Sequence, residues 1–353
     1  MIIRKLQVEN FRNLAAVDIE PNARLNYFEG ANGAGKTSVL EALVVLSRGR
    51  SFRTTQAAEL IGPVSETFRV FAVAEQDRGQ SHRLGLERSG KRWRGRKDGA
   101  DLSQLSQLTR SLPLILMEPD SHLLVSGPPE VRRRFVDWGM FHVEPGFLDT
   151  WRRFSKALKQ RNAALRGSQR DVLDSLDEVV AGHGEQLGAY RRAHCASIAS
   201  GLQPMLAELN SGLSGIAVDY HEGWSGGPYL ETLRSSRTRD LDRGMTMSGP
   251  HRADLQLALD GAPARAILSR GEQKVLAAAM LLTQAELVRA CGERPLLLLD
   301  DLASEFDHTH FDNVLRRALS MGGQVWVTGT RKAALAEPLA LFHVEQGAVR
   351  EVV

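Results

Sequence analysis

The sequence predicts an α/β fold, in which a head with a mixed sheet and an antiparallel β lobe is interrupted by a compact helical lobe. A buried apolar stretch at 25–28 leads into a glycine-rich loop, and apolar residues then recur at helical spacing from Val39 onward. Residues 67–98 alternate apolar and polar side chains around a turn signal at 77–80, which is typical of antiparallel strands. Residues 128–212 carry apolar side chains at helical spacing and predict the helical lobe.

The other elements follow from the same patterns. Residues 1–30 predict a hairpin and a strand. Gly182 and Gly184 leave open whether one helix or two run through the helical lobe, and the heptads are too few for a long coiled coil. Residues 222–244 are polar and predict a loop. The remaining predicted strands are 112–117, 255–259, 296–300, 324–328 and a pair within 341–353, and the remaining predicted helices are 272–290 and 309–320.

Composition excludes several classes of protein. With 42% hydrophobic and 25% charged residues, the chain of 353 residues has the composition of a soluble globular protein with one large domain or two ordinary ones. It contains no run of 18 apolar residues, and its N-terminus lacks the apolar core of a signal peptide, so no membrane span is expected. Two cysteines, Cys195 and Cys291, are too few for a disulfide framework. We therefore expect a cytoplasmic location.

The glycine-rich loop matches the pattern Gly-x4-Gly-Lys-Thr of a phosphate-binding loop, or P-loop. Glycines let the backbone aim several N–H groups at one anion, and the helix that follows adds its N-terminal dipole. Lys36 is predicted to reach the β- and γ-phosphates of ATP as a catalytic residue, and the Thr37 hydroxyl to bind Mg²⁺. The predicted nucleotide contacts in this loop are Gly30, Ala31, Asn32, Gly33, Ala34, Gly35, Lys36 and Thr37.

An acidic pair follows the apolar stretch at 296–299. A continuous apolar run suits a central parallel strand that is covered on both faces. At its carboxyl end, Asp300 is predicted to hold Mg²⁺ and Asp301 to polarise the attacking water as a general base. Alone, this pattern is more typical of an ordinary buried strand that ends in a solvated acidic turn. The P-loop on the same chain favours the ATP site.

A third segment, 268–273, begins the predicted helix 272–290 with a capping-box pattern of Ser269 and Glu272. The Ser269 hydroxyl, the Gly271 amide and the helix N-terminus together make an anion site, and Gln273 belongs to the same segment. A plain helix cap explains this pattern equally well.

The segment resembles the signature motif of the ATP-binding-cassette (ABC) superfamily. That resemblance implies that Ser269, Gly271 and Gln273 bind the nucleotide of a second subunit, and that residues 304–307 form a loop that also meets the partner. Ser269 lies 233 positions after Lys36, and such a large insertion is the mark of SMC-like DNA-repair ATPases. In heads of that type the arginine of the 10–13 segment lies near the phosphates, which implies nucleotide contacts for Arg12 and Asn13.

Several further motifs resemble the RecF family of bacterial recombination proteins through nearly the whole chain. They lie at 10–13, 30–37, 51–54, 132–139, 158–162, 248–254 and 269–274. Several of these motifs are unrelated to nucleotide binding and therefore indicate RecF rather than any ABC-type head. The implied domains are 1–127 and 246–353 for the two parts of the ATPase head and 128–245 for the helical insertion.

The resemblance implies an ATP-dependent DNA-binding protein of recombinational repair and replication. It would form a homodimer on ATP, act at DNA gaps or junctions, help the RecO and RecR proteins to load RecA, and support SOS induction. Asp301 stands where ABC heads commonly have Glu. Because its side chain is one methylene shorter, we expect a weak, slow ATPase rather than a metabolic enzyme. Two alternatives stay open: a nucleotide-binding repair scaffold with negligible turnover, and a transporter-type ATPase, against which the motif spacing counts.

Basic clusters give the candidate DNA contacts. Net charge is only +3, so the distribution of cations matters more than their total. Clusters of this kind form phosphate-binding surfaces but also serve as solvated faces of helices and hairpins. The helical run Arg132–Arg134 is equally consistent with packing of its own lobe, and a further basic pair lies at 152–153. The predicted DNA contacts are Arg50, Arg53, Arg92 and Arg94.

Overall fold

The computed structural model describes residues 1–76, 79–167, 169–225, 227–330 and 340–352. The chain divides into two compact units. The first unit contains Met1–Ser121, Glu208–Ser211 and Val288–Val353, and the second contains His122–Ala207 and Gly212–Leu287. No helix within the described residues is long and apolar enough to span a membrane.

Strands dominate the first hundred residues, and helices dominate the stretch from 123 to 208. In chain order the strands are β1 (Ile2–Phe11), β2 (Leu14–Ile19), β3 (Leu25–Glu29), β4 (Thr67–Glu75), β5 (Ser81–Ser89), β6 (Arg92–Lys97), β7 (Ala100–Asp101), β8 (Leu114–Met117), β9 (Ile216–His221), β10 (Asp254–Leu259), β11 (Ala262–Pro263), β12 (Leu296–Leu299), β13 (Val325–Gly329), β14 (Ala340–Glu345) and β15 (Ala348–Val352). The helices are α1 (Lys36–Arg48), α2 (Ser106–Ser111), α3 (Leu123–Ser126), α4 (Pro129–Val143), α5 (Phe147–Arg166), α6 (Leu173–Glu208), α7 (Tyr229–Ser235), α8 (Arg237–Arg243), α9 (Ala264–Ile267), α10 (Arg270–Ala290), α11 (Leu302–Glu305) and α12 (His308–Ser320).

A mixed sheet carries the nucleotide motifs of the first unit. Its strand order is β15-β14-β3-β13-β12-β8, in which only the β14–β15 pair is antiparallel. All four leucines of β12 are buried, as expected for a central parallel strand. Phe28 stacks on both Trp326 and Phe342, with ring centroids 5.1 and 4.9 Å apart. The P-loop strand β3 is therefore fixed between two neighbours before the loop begins.

The second sheet of this unit is antiparallel, with the strand order β2-β1-β4-β5-β6-β7. Alternate residues of β4 are buried, which is the pattern of a strand with one covered face. Phe11 packs edge-to-face on Phe68, with ring centroids 5.1 Å apart. The predicted antiparallel β lobe is confirmed; Asp77 and Arg78 of its predicted turn lie outside the described residues.

The second unit combines helices α4 to α6 with a small antiparallel sheet of order β11-β10-β9. α6 is one continuous helix through Gly182 and Gly184. Gly184 permits close packing there, because a Cβ atom at this position would lie 2.7 Å from a ring carbon of Tyr229. The described residues contain no long coiled coil, and the predicted α/β class with a compact helical lobe is confirmed.

Two sequence expectations differ from the structure. The loop predicted at 222–244 is wrong in part, because α7 and α8 form there around the buried residues Tyr229, Leu233 and Asp240. The compact units also divide the chain differently from the expected domains. Residues 246–287 belong to the second unit, since β10 pairs along its length with β9.

Candidate nucleotide-binding site

The P-loop lies between β3 and α1, and its shape depends on glycine. Gly35 has a φ of 119°, and a Cβ at this position would lie 3.1 Å from the Asn13 side-chain nitrogen. Gly30 has a φ of 157°, and a Cβ there would lie only 2.2 Å from the Val344 carbonyl oxygen. No other residue fits these two positions without displacing its neighbours. α1 begins directly at Lys36, so its N-terminal N–H groups close the loop as an anion site.

Lys36 is buried within this loop. Its Nζ donates to the carbonyl oxygens of Gly30 at 2.8 Å and Ala31 at 3.0 Å. Asn13 braces the loop from outside: its Nδ2 donates to the Gly33 carbonyl at 3.1 Å, and its Oδ1 accepts from the Ser38 hydroxyl at 2.9 Å. Asn13 thus touches the loop itself, where the resemblance places it near phosphates.

Three side chains meet at the carboxyl ends of the central strands. The Thr37 hydroxyl donates to Asp300 Oδ1 at 2.9 Å across 263 positions of sequence. The Thr328 hydroxyl donates to the same oxygen at 2.7 Å. Burial raises the pKa of the Asp300 carboxyl, although these two hydrogen bonds oppose the rise. A hydroxyl beside a carboxylate supplies the hard oxygen ligands that Mg²⁺ prefers, so the residues fit that ion.

Asp301 has a left-handed backbone, with a φ of 51°. Its backbone N–H donates to the Thr328 hydroxyl at 2.9 Å, and its carbonyl accepts from Ser304 at 2.8 Å. The Asp301 side chain makes no capping bond to α11. The backbone of Asp301 is therefore fixed by hydrogen bonds, while its carboxylate is not used to cap α11.

A buried carboxylate, Glu41, organises the basic side chains around α1. It accepts from Arg12 at 2.7 and 3.1 Å and from the Ser51 hydroxyl at 2.5 Å. Arg53 also reaches it, at 3.4 Å. The sequence argument missed Glu41, although it lies four positions after Thr37, where the two share one face of a helix. Arg12, expected near phosphates, is paired with this carboxylate.

Glu118 is a second carboxylate that the sequence argument missed. It follows β8, whose Met117 is in parallel register with Leu299, so Glu118 and Asp300 end neighbouring strands. Burial, together with the charges of Asp120 and Asp300, raises the pKa of Glu118 to about 7. In the sequence, the feature that could have indicated Glu118 is its position directly after the predicted strand 112–117. In the structure this strand pairs with β12, which ends in the acidic pair.

The segment 268–273, which resembles the ABC signature motif, belongs to the second unit. Ser269 N–H donates to Glu272 Oε2 at 2.8 Å, and Glu272 N–H donates to the Ser269 hydroxyl at 3.3 Å, which is the predicted capping box. These hydrogen bonds lower the pKa of Glu272. Ser269 and Gly271 are exposed, whereas Gln273 is buried and donates to the Leu268 carbonyl at 2.9 Å. Ser269 and Gly271 thus face solvent, and the Gln273 amide supports its own loop.

The four predicted DNA contacts have different surroundings. Arg50 and Arg92 are exposed. Arg94 forms a bidentate ion pair with Asp101 at 3.0 and 2.9 Å, and this pair, joined by Arg96, lowers the pKa of Asp101 to about 2. Arg53 pairs with Glu41, and its charge is among the influences that lower the pKa of Asp300. Arg53 therefore lies beside the nucleotide motifs.

The other basic cluster, 132–134, is largely internal to the second unit. Arg132 is buried and forms a bidentate pair with Asp254 at 2.8 and 3.1 Å. Arg133 donates to the Ala253 carbonyl at 2.7 Å. These two arginines join the 132–139 and 248–254 motifs, so their role is structural.

Comparisons with known proteins agree along the whole chain. The family model of the RecF/RecN/SMC N terminal domain matches residues 2–350. The chain is 42% identical over 360 residues to the DNA replication and repair protein RecF of Stenotrophomonas maltophilia (strain R551-3), covering 99% of both chains. It is 39% identical over 363 residues to the protein of that name from Pseudomonas entomophila (strain L48), covering 99% of this chain and 98% of the relative.

Solved structures with the same fold include the recombination mediator protein RecF-ATP in the RecFOR pathway, with a TM-score of 0.90 and 24% identity over 100% of this chain and 98% of that one. An Smc head bound to the C-winged helix domain of ScpA has a TM-score of 0.61 and 16% identity, over 100% and 97% of the two chains. Both likenesses concern the fold.

Proposed function

The chain belongs to the RecF/RecN/SMC N-terminal domain family, and from that premise we propose that it is an ATP-dependent DNA-binding protein of DNA replication and recombinational repair. Relatives named for DNA replication and repair align with 99% of the chain at 38–42% identity, which supports the same role here.

One observation carries the ATP part of the proposal. Thr37 and Asp300, 263 positions apart, are joined by a hydrogen bond at the mouth of a P-loop that already encloses Lys36. When MgATP is bound, it supplies the scissile phosphoanhydride and a cation that neutralises phosphate charge. Thr37 and Asp300 would hold the Mg²⁺, and the glycine-loop N–H groups would hold the phosphates. Lys36 would exchange the carbonyls of Gly30 and Ala31 for phosphate oxygens.

Hydrolysis is assigned to Asp301 as general base. Its backbone N–H donates to the Thr328 hydroxyl, which in turn donates to Asp300, so one side chain links the proposed metal ligand with the backbone of the proposed base. The short aspartate side chain favours slow turnover, which suits a timed release of DNA better than steady consumption of ATP. Two further charged groups act on Asp300: the carboxyl group of Glu118 and the guanidinium of Arg53.

We further propose an ATP-dependent homodimer. Ser269 and Gly271 are exposed at the start of α10 and fit a γ-phosphate held by a second copy. ATP would then join two heads around DNA at gaps or junctions, and hydrolysis would separate them. The expected protein partners are RecR and RecO, through which RecA is loaded, in the cytoplasm.

The test is the mass of the protein in solution without nucleotide, with ADP and with ATP, followed by DNA binding under the same conditions. We expect a dimer with ATP alone and tighter DNA binding in that state. Lys36→Arg should abolish both effects, whereas Asp301→Asn should preserve the ATP dimer and prolong it. Equal DNA affinity with and without ATP, in wild type and both variants, would contradict the proposal.

A further inference from the structure

Helix α5 has one buried face and one basic face. Phe147, Phe154 and Leu165 are buried on one side. On the opposite side, positions 152, 156, 159 and 166 follow each other at helical spacing, and all four are exposed. We call the four cations at these positions, Arg152, Lys156, Lys159 and Arg166, the α5 basic stripe.

Three of the four cations of the stripe lack a carboxylate partner among the described residues. α5 carries five exposed cations, the stripe and Arg153, against one exposed carboxylate, Asp149. Lys156, Lys159 and Arg166 form no ion pair with any residue that the structure describes. By contrast, Arg94 and Arg132 of other clusters have carboxylate partners at close range. Cations clustered without counter-charges create a positive potential that attracts an anion from outside the chain.

The shape of the surface indicates an extended anion. A shallow groove of about 510 Å³ runs along the stripe, lined among others by Trp151, Ser155, Lys159 and Gln160. Trp151 is 40% exposed, so an aromatic ring lies at one end of the row. At about 1.5 Å of rise per residue, the row from 152 to 166 extends roughly 21 Å. This length matches a run of successive phosphates better than one small anion.

Hydrogen bonds on the buried side of α5 fix the helix in place. Arg161, fully buried, donates to Asp177 at 2.6 Å, to Asp240 at 2.8 Å and to the Thr246 hydroxyl at 2.7 Å. Asn162 accepts from the Thr246 backbone N–H at 2.8 Å. The 158–162 motif thus has two sides: Arg161 and Asn162 anchor the helix, while its neighbouring residues Lys159 and Gln160 face solvent. The helix backbone that carries these cations is therefore already ordered before any ligand binds.

We infer that the α5 basic stripe binds the phosphodiester backbone of DNA, with Trp151 against the strand at one end of the groove. This inference rests on the proposed function and adds to it a contact surface that lies in the second unit. The aromatic ring fits a base exposed beside a single-stranded gap, because exposed aromatic side chains stack on unpaired bases.

The experiment compares the full-length triple variant Lys156→Gln, Lys159→Gln, Arg166→Gln with wild type. The probe is a labelled DNA duplex with a single-stranded tail, titrated in the presence of ATP at several salt concentrations. Each lost phosphate contact lowers the slope of log K against log salt by about 0.9, so we expect a slope smaller by roughly 2 to 3. ATP binding and thermal unfolding should match wild type, since these three side chains are exposed and none belongs to the P-loop motif.

A matched control removes three exposed cations that belong to no proposed DNA contact, by Arg83→Gln, Arg316→Gln and Arg350→Gln. A fall in slope for the stripe variant but not for the control supports the inference. An unchanged slope for the stripe variant, or an equal fall in both, overturns it and leaves the proposed function standing, because wild type still binds DNA; the stripe would then suit an acidic protein partner. Failure of wild type to bind DNA with ATP overturns both.

Discussion

The Thr328 hydroxyl donates to Asp300 and, at the same time, accepts from the backbone N–H of Asp301. One side chain therefore connects the predicted metal ligand with the predicted base. β13 places Thr328 there, because it runs parallel to β12 and both strands end at the same edge of the sheet.

Replacing Thr328 by Val should weaken both functions of the acidic pair. The variant keeps the shape of the side chain but leaves Asp300 without one donor and the Asp301 N–H without its acceptor, at a cost of about 1–3 kcal/mol. We expect ATP hydrolysis to require more Mg²⁺ and to slow several-fold. A Mg²⁺ titration of the ATPase rate measures this, and Thr328→Ser, which retains the hydroxyl, should stay close to wild type. Equal effects of Val and Ser would contradict the connection.

Asp301→Asn should separate hydrolysis from binding. Loss of a general base commonly slows a reaction by about 10²–10⁴-fold, whereas the amide leaves the size of the side chain unchanged. Single-turnover hydrolysis and equilibrium binding of a fluorescent ATP analogue measure the two effects. Wild type itself should turn over slowly. A fast steady-state rate with DNA, or a variant that hydrolyses normally, would remove Asp301 from this role.

Glu41→Gln should destabilise the head. The change leaves Arg12 without its buried charged partner, and breaking a pair of this kind commonly costs about 3–5 kcal/mol. Urea unfolding measures the loss as a lower midpoint. Glu59, which also contacts Arg12 but is half exposed, provides the matched control, and Glu59→Gln should cost less than about 1 kcal/mol. Similar losses in both variants would show that burial of Glu41 is unimportant.

His251 should make the second unit sensitive to acid. Burial, helped by the nearby charges of Arg252 and Arg133, lowers the pKa of His251 to about 4, and its Nδ1 is buried without a hydrogen bond. The unfolded state takes up a proton near pH 6.5 while the folded state does not, so stability falls as pH decreases from 6.5 to 4. The full effect is about 3 kcal/mol. Unfolding free energies of wild type and His251→Asn across this range measure it, and parallel curves would refute it.

Local patterns revealed the parts of the site that lie within one segment. The P-loop and the acidic pair each combine a recognisable strand with a short motif, and both could be placed from the sequence. Thr328, Glu41 and Glu118 could not, because their importance arises from partners on other strands and helices. The structure brings Glu118 next to Asp300 through the pairing of β8 with β12, a register that no local pattern specifies.

Dependence on distant partners also explains why the four predicted DNA-contact arginines have such different surroundings. A run of arginines shows that charge is present but not which carboxylate neutralises it. Asp101 lies only seven positions after Arg94, yet the sequence did not predict the turn between β6 and β7 that brings the two side chains together. Arg132 finds its partner 122 positions away. Lys156, Lys159 and Arg166 of α5 were not predicted as DNA contacts, because their significance depends on the absence of carboxylate partners among the described residues.

The glycine contacts of the P-loop also bear on the order of events during synthesis. Gly30 closes against the Val344 carbonyl, and Gly347 N–H donates to the Ala34 carbonyl at 2.8 Å. Both partners belong to the hairpin of β14 and β15. The loop therefore precedes the hairpin that encloses it by most of the described chain, and its contacts form only after β14 and β15 have left the ribosome. A nascent chain would be unable to hold ATP before that point, which delays any ATP-driven pairing of heads until both strands have been made.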